Sequence, residues 1–329
     1  MAVVEVYDEI YRIDIPLPGS PLKSLNAYLI KGDFMIDQRN LLIDTGFNTK
    51  ESFDAMIEGF VDIGVYKEGT DMFLTHLHAD HVGLAAELKN PDNKIYASAY
   101  DGFVMRDAQN QKYWDTLATD SIKMGFPPDQ ILRYEDHPGY KQNNKSTFET
   151  VTLRPGDRLS YERYNFEVID LSGHTPGQIG LYEPEHKLLF AGDHILNKIT
   201  PNITYWDDEF DALGVYMQNL RKVRELDIKH VFTAHRQPVE DVYARIDQLL
   251  AHHERRLNLC IEMLEKKPCT VYEISHGLNW DFGGGDFSKF PITQKWFAAG
   301  EAYAHVEHLY HTGKINKELV GEQYIYSLK

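Results

Sequence analysis

Thr75-His76-Leu77-His78-Ala79-Asp80-His81 is the stretch on which the reading of this chain turns. It packs four potential metal ligands into six residues, directly after the strand-like run Asp71-Met72-Phe73-Leu74. Three residues of the same kind stand far downstream. They are His174 in Leu171-Ser172-Gly173-His174-Thr175-Pro176-Gly177, Asp193 in Phe190-Ala191-Gly192-Asp193-His194, and His235 after Thr233-Ala234. Together the set offers five imidazoles and two carboxylates, enough to hold two transition-metal ions. Imidazole nitrogens bind zinc at about 2.0–2.1 Å and carboxylate oxygens at about 2.0–2.2 Å. At this spacing a tight loop can aim His76 and His78 at one ion and Asp80 and His81 at its neighbour, and Asp193 can bridge the two. A metal pair ionises water near neutral pH and holds nucleophile and substrate together, so the motif reads as that of a hydrolase.

Working outward, Asn26–Ile30, Asn40–Asp44, Asp71–Thr75 and Lys94–Ala97 have the short apolar pattern of strands. Helices are expected over Lys50–Gly64 and Val82–Leu88. Residues 101–150 break this rhythm: helix-like Phe103–Trp114 and Thr116–Met124 are followed by Gly125-Phe126-Pro127-Pro128 and the polar run Lys141–Lys145. With Phe103, Met105, Tyr113, Trp114 and Phe126, this insertion reads either as a lid over the substrate pocket or as a helical excursion packed on the core. Strand pattern resumes over Val151–Leu171, with a hairpin turn at 162–165; Gly180–Tyr182 and Lys187–Ala191 flank another turn at 183–186, and Lys229–Ala234 is a last buried strand that delivers His235. A helix is expected around Asp211–Leu226. Beyond 240, helical spacing over Asp241–Lys266, a helix start at Pro268–Ile274, the Gly283-Gly284-Gly285 break and a helix over Thr293–Thr312 suggest a second domain, 241–329, after a catalytic domain, 1–240.

A chain of 329 residues exceeds the usual size of one core, and 43% hydrophobic with 26% charged residues describes an ordinary globular protein. No apolar run reaches the roughly 18 residues of a membrane span, and acids stand where a signal peptide would be basic, so a cytoplasmic protein is expected. Only Cys260 and Cys269 occur, and they form no metal pattern. A net charge of −16 disfavours nucleic acid as a partner, because phosphate backbones are bound by basic surfaces.

These residues resemble the metallo-β-lactamase superfamily, in particular its glyoxalase II-like branch, over roughly residues 20–240, with Leu42-Ile43-Asp44-Thr45-Gly46 ahead of the histidine motif. The resemblance implies an α/β fold, a four-layer αββα sandwich. It also implies that His76, His78 and His174 hold one metal, that Asp80, His81 and His235 hold the other, and that Asp193 bridges them. Asp44 would steady the histidine loop from behind, and His194, next to the bridging residue, could do the same. Where the family commonly has Gly-His-Gly this chain has Ala234-His235-Arg236. Arg236 is thus either an anchor for a substrate carboxylate or phosphate or a surface salt-bridge partner. Tyr205 and Trp206, which follow the bridging aspartate, are candidates to line the pocket. The C-terminal part resembles the small helical, winged-helix-like domain of the β-lactamase-like protein 2 group. Its Glu301, Glu307 and Glu318 point to packing or homodimerisation rather than to nucleic acid.

The expected chemistry is attack of a hydroxide held by two divalent metals, zinc before iron or manganese, on the carbonyl of a small-molecule thioester, lactone or related ester with an apolar acyl group. Asp80 and Asp193 are the catalytic carboxylates of this scheme, Asp80 orienting the hydroxide. Three alternatives are a metal-dependent phosphodiesterase or nuclease, a mononuclear iron dioxygenase acting on a persulfide, and a non-catalytic winged-helix regulator.

Overall fold

Two β-sheets carry the histidine motif and its partners. In the computed structural model, which describes residues 3–33, 38–107, 111–144 and 146–329, the first sheet has seven strands in sequential order. They are β1 (Val3–Tyr7), β2 (Ile10–Pro16), β3 (Ser24–Ile30), β4 (Asn40–Ile43), β5 (Thr70–Phe73), β6 (Ile95–Ser98) and β7 (Val151–Leu153). Pairing is antiparallel from β1 to β4 and parallel from β4 to β7. The second sheet runs β12-β11-β10-β9-β8, from β8 (Arg158–Tyr161), β9 (Tyr164–Asp170), β10 (Ile179–Glu183), β11 (Leu188–Gly192) and β12 (His230–Thr233). Only β11 and β12 are parallel in it.

The sheets pack face to face through one apolar layer in which Ile10, Tyr28, Ile43 and Phe73 meet Tyr164, Phe166, Leu181, Phe190 and Phe232. The Tyr28 ring sits edge-on to Phe190 at 5.5 Å, and its hydroxyl donates to the Thr233 carbonyl at 2.9 Å, so its one polar atom is satisfied inside the layer. On the other face of the first sheet lies α1 (Lys50–Ile63), started by the Thr49 cap and ended at Gly64 in a left-handed conformation. A Cβ on Gly59 would stand 2.6 Å from Ile13 Cγ2, so α1 lies close on β2.

Short apolar strands, buried on both faces, end where loops begin, and the two sheets are stitched there. Ile179 N–H donates to Thr75 O at 3.0 Å and Asn26 N–H to Ala234 O at 2.7 Å. The expected helix over Val82–Leu88 is instead two single turns, α2 (Ala79–Val82) and α3 (Ala85–Leu88), separated at Gly83, so the histidine motif itself runs into a helical turn.

The chain forms two compact units: Met1–Gln109, Pro138–Pro201 and Glu225–Val242 make the first, and Asn110–His137, Asn202–Arg224 and Tyr243–Lys329 the second. This division differs from a linear cut at 240. Residues 101–150 are shared: α4 (Ala99–Asp107) and α6 (Pro138–Lys141) belong to the first unit, and α5 (Gln111–Lys123) to the second. The reason is burial, since Trp114, Met124, Phe126 and Leu132 are buried in the second unit while Phe103 on α4 is exposed. Lys145 of the polar run lies outside the described residues.

The second unit also holds α7 (Ala212–Arg224), α8 (Val242–Leu264), α9 (Val271–Gly277), α10 (Ile292–His311) and a hairpin of β13 (Ile315–Val320) and β14 (Gln323–Leu328). A capping box of Thr270 and Glu273 starts α9. Lys317 is packed against the Tyr324 ring at 4.0 Å and bonded to Glu307 at 2.9 Å. Cys260 and Cys269 are both buried and unbridged. Among the described residues no helix is long and apolar enough to cross a membrane.

Candidate metal centre

Every residue of the histidine set stands just past the C-terminal end of a strand. β5 leads to His76, His78, Asp80 and His81, β9 to His174, β11 to Asp193 and β12 to His235. Parallel pairing of β11 with β12 brings their C-terminal ends together, and rigid sheets make such loop sites precise. His76 and His78 sit on the extended part of the motif, while α2 turns Asp80 and His81 inward.

Three groups of candidate ligand atoms result: His76, His78 and His174; Asp80, His81 and His235; and His76, His81 and Asp193, each group within 4.8 Å. His76 Nε2 lies 3.1 Å from His78 Nδ1, and His235 Nε2 lies 3.3 Å from Asp80 Oδ2. Two ligands at 2.0–2.1 Å on a tetrahedral zinc would be separated by about 3.3 Å, so these spacings fit. Asp193 faces both ways. Its Oδ1 is 3.6 Å from His81 Nε2 and 3.5 Å from His235 Nε2, while its Oδ2 is 3.6 Å from His174 Nε2.

The donor set also fits by what it leaves undone. His81 Nε2, His235 Nε2 and Asp193 Oδ1 are buried with no hydrogen-bond partner, an arrangement that a bound cation would satisfy. The tautomers agree. His81 Nδ1 donates to Asp44 Oδ2 at 2.7 Å and His235 Nδ1 to the Ser24 carbonyl at 2.9 Å, which turns each Nε2 towards the centre. Burial would lower the His81 pKa, but Asp44, Asp193 and Asp80 overcome it and raise it to about 10. Burial would raise Asp80, yet His81 and His235 hold it well below the ordinary carboxylate range. Protons here balance an excess of carboxylate that metal cations can balance instead.

Asp44 lies behind the loop. Besides His81 it accepts from Thr75 N–H and Thr75 Oγ1–H, both at 2.8 Å. His194 is fully buried near Asp170 and His174, and burial takes its pKa down to about 3. Arg236 donates to the Pro21 carbonyl at 3.0 Å. In the second unit the Tyr205 ring stacks on Tyr303 at 3.9 Å, and Trp206 is half-buried.

One residue went unnoticed in the sequence. Asp101, at the start of α4, is buried and accepts from Leu77 N–H at 2.9 Å and Thr175 Oγ1–H at 2.8 Å. Burial pushes its carboxyl up to about 7.

A second cluster, His252, His253 and Glu301, has similar spacing. There Arg256 already supplies the cation, with its Nε 2.9 Å from His252 Nε2 and 3.6 Å from Glu301 Oε1. Its guanidinium would repel a metal ion at that range. Glu301 and Glu307 are thus buried and internally neutralised, and of the three acids expected to keep nucleic acid away only Glu318 is exposed.

The family model of the metallo-beta-lactamase superfamily matches residues 22–235. The chain is 25% identical to the probable metallo-hydrolase YqjP of Bacillus subtilis over 281 residues, covering 82% of this chain and 85% of that protein. It is 30% identical to the hydroxyacylglutathione hydrolase GloC of Haemophilus influenzae over 129 residues, 37% of this chain and 48% of that one. The crystal structure of a metallo-beta-lactamase family protein from Thermus thermophilus superposes with a TM-score of 0.83 at 23% identity, covering 99% of this chain and all of that one. The two facing sheets with helices outside are thus the αββα sandwich of that fold.

Proposed function

The chain belongs to the metallo-beta-lactamase superfamily and is a metallo-hydrolase, and from that footing we propose that it cleaves a thioester, a lactone or a related ester of a small apolar acyl compound. His76, His78 and His174 would hold one divalent ion, Asp80, His81 and His235 the other, with Asp193 between them. One observation carries the reading: the two oxygens of Asp193 face different histidine groups, Oδ2 toward His174 and Oδ1 toward His81 and His235. When bound, the ions supply an ionised water at neutral pH and polarise the scissile carbonyl. Asp80 is the partly exposed carboxylate of the set, and its neighbours keep it ionised, so while serving as a ligand it would accept a hydrogen bond from the attacking water and orient it. Asp44 and the Ser24 carbonyl keep His81 and His235 in the tautomer that leaves Nε2 available.

A histidine-rich set with two carboxylates favours zinc, with iron or manganese as the other fits. The named substrate of the Haemophilus relative, a hydroxyacylglutathione, supports an acyl thioester. Net charge of −16 supports a small molecule over nucleic acid. We read α9, α10 and the β13–β14 hairpin as a winged-helix-like arrangement used for packing or homodimerisation, and the two buried thiols as fitting a reducing cytoplasm.

The test is a rate comparison on zinc-loaded protein with an acyl thioester, a lactone and bis(p-nitrophenyl) phosphate. Faster turnover of an ester or thioester is expected. Preference for the diester, or one iron per chain with oxygen uptake on glutathione persulfide, would replace this reading.

A further inference from the structure

Two buried carboxylates support the candidate ligand loops from behind. Asp44 ties His81 to Thr75, as described above. Asp101 does the corresponding work on the other side. A single oxygen, Oδ2, takes the N–H of Leu77, which lies between His76 and His78, and the hydroxyl of Thr175, which follows His174. Those three histidines come from two loops about a hundred residues apart, and Asp101 touches both loops.

The packing leaves the carboxylate little freedom. Asp101 is 1% exposed and Thr175 fully buried. A Cβ built on Gly177 would stand 2.3 Å from Asp101 Oδ1 and 2.4 Å from Ser98 Oγ, so the loop carrying His174 presses on this carboxylate and only glycine lets it come so close. Asp101 N–H in turn faces Ser98 Oγ at 3.2 Å, which ties the acid to the end of β6. A buried carboxylate is costly unless donors surround it, and here the donors belong to the two loops that must be held in register.

We infer that Asp101 is a positioning residue that sets the geometry of the His76/His78/His174 metal site by clamping its two loops together. This rests on the two-metal reading above. Asp44 backs both groups, through His81 and through Thr75 Oγ1, which lies 3.0 Å from His76 Nδ1, whereas Asp101 backs the loops of His76, His78 and His174. Removing Asp101 should weaken that one site and leave its neighbour occupied.

The experiment is zinc stoichiometry and affinity by native mass spectrometry and chelator competition on the full chain. The variants are Asp101→Ala, Asp101→Asn and Thr175→Val, with circular dichroism as the control for folding. Wild type is expected to bind two zinc ions. Asp101→Ala should bind one of them at least about tenfold more weakly, the range seen when a partner behind a ligand is removed. Asp101→Asn, which keeps an acceptor oxygen, should restore both. Thr175→Val keeps the side-chain shape, removes one of the two tethers, and should weaken the same site. Adding His78→Ala to Asp101→Ala should cost further zinc only at the site already weakened, whereas adding His235→Ala should weaken the other ion as well. Retention of both ions at wild-type affinity in Asp101→Ala or Thr175→Val overturns the inference, as does a loss that falls on the His235 site. Fewer than two ions in the wild type would instead bring down the two-metal reading, and the inference with it.

Discussion

Asp44 shows how much one side chain is asked to do. It sits at φ 61°, a left-handed conformation that aspartate and asparagine tolerate better than most residues, and its carboxylate takes three donors. Asp44→Asn should keep the turn and lose the charge opposite His81, weakening zinc at that site by about 10–100-fold in a chelator competition. Asp44→Ala should do the same and also lower stability by about 1–3 kcal/mol in urea titrations, because Thr75 N–H is left buried without an acceptor. Wild-type zinc affinity in the asparagine variant would contradict this account. Asp193→Ala should remove most bound metal and activity with circular dichroism unchanged, since its oxygens face both histidine groups. The candidate ligand set was legible because histidine and aspartate are chemically conspicuous and four of the seven stand within six residues. Asp101 was not, because its partners Leu77 and Thr175 lie 24 and 74 residues away and an acid in the first turn of a helix is unremarkable.

At the scale of elements, apolar runs bounded by turn residues marked most strands and the long helices, and burial explains why. A strand covered on both faces is apolar over most of its length, and in the wholly buried β4, β5, β6 and β11 the polar residues Asn40, Thr70, Asp71 and Ser98 stand at or next to strand ends. The helix expected over 82–88 failed because periodicity does not register a break into two turns. Packing of α1 on β2 yields a prediction against propensity. Gly59→Ala would gain about 1 kcal/mol as a helix former, but its Cβ would meet the stiff, fully buried Ile13 at 2.6 Å, and overpacking costs about 1–3 kcal/mol. A lower urea midpoint is expected, and a higher one would show that α1 can shift. Within α10, burial would raise the Glu301 pKa, but Arg256 and the nearby histidines hold it down to about 2. An acid depressed in the folded state adds stability above its unfolded value near 4.5 and loses it as pH falls towards 2. His305, which burial lowers to about 4, adds a loss of the same sign between 6.5 and 4. The melting temperatures of wild type and Glu301→Gln should therefore differ at pH 7 and converge by about pH 2. Parallel curves would mean that Glu301 is not coupled to folding.

For the molecule as a whole, the sandwich core and the candidate metal ligands are separate sets of residues, so the fold should survive loss of metal. Chelation is expected to abolish activity and lower the melting temperature, with stability falling by about 2.7 kcal/mol for each ion lost relative to zinc at a hundred times its dissociation constant, while the circular dichroism spectrum at 25 °C stays native. Unfolding on chelation alone would make the metals part of the core. The sandwich could be anticipated from strand order and the motif, but the division into units could not, because it depends on which side chains meet rather than on any boundary signal. Residues 110–137 and 202–224 carry Trp114, Phe126 and Tyr216 into a unit completed only by 243–329. On the ribosome this becomes a matter of timing. At about 5–20 residues per second, the first of these segments is made roughly 10–40 s before the last residue. For that interval its aromatic side chains have no finished core to enter, so the newborn chain presents them to chaperones or to other nascent chains, a hazard that a protein with its units in simple succession would avoid.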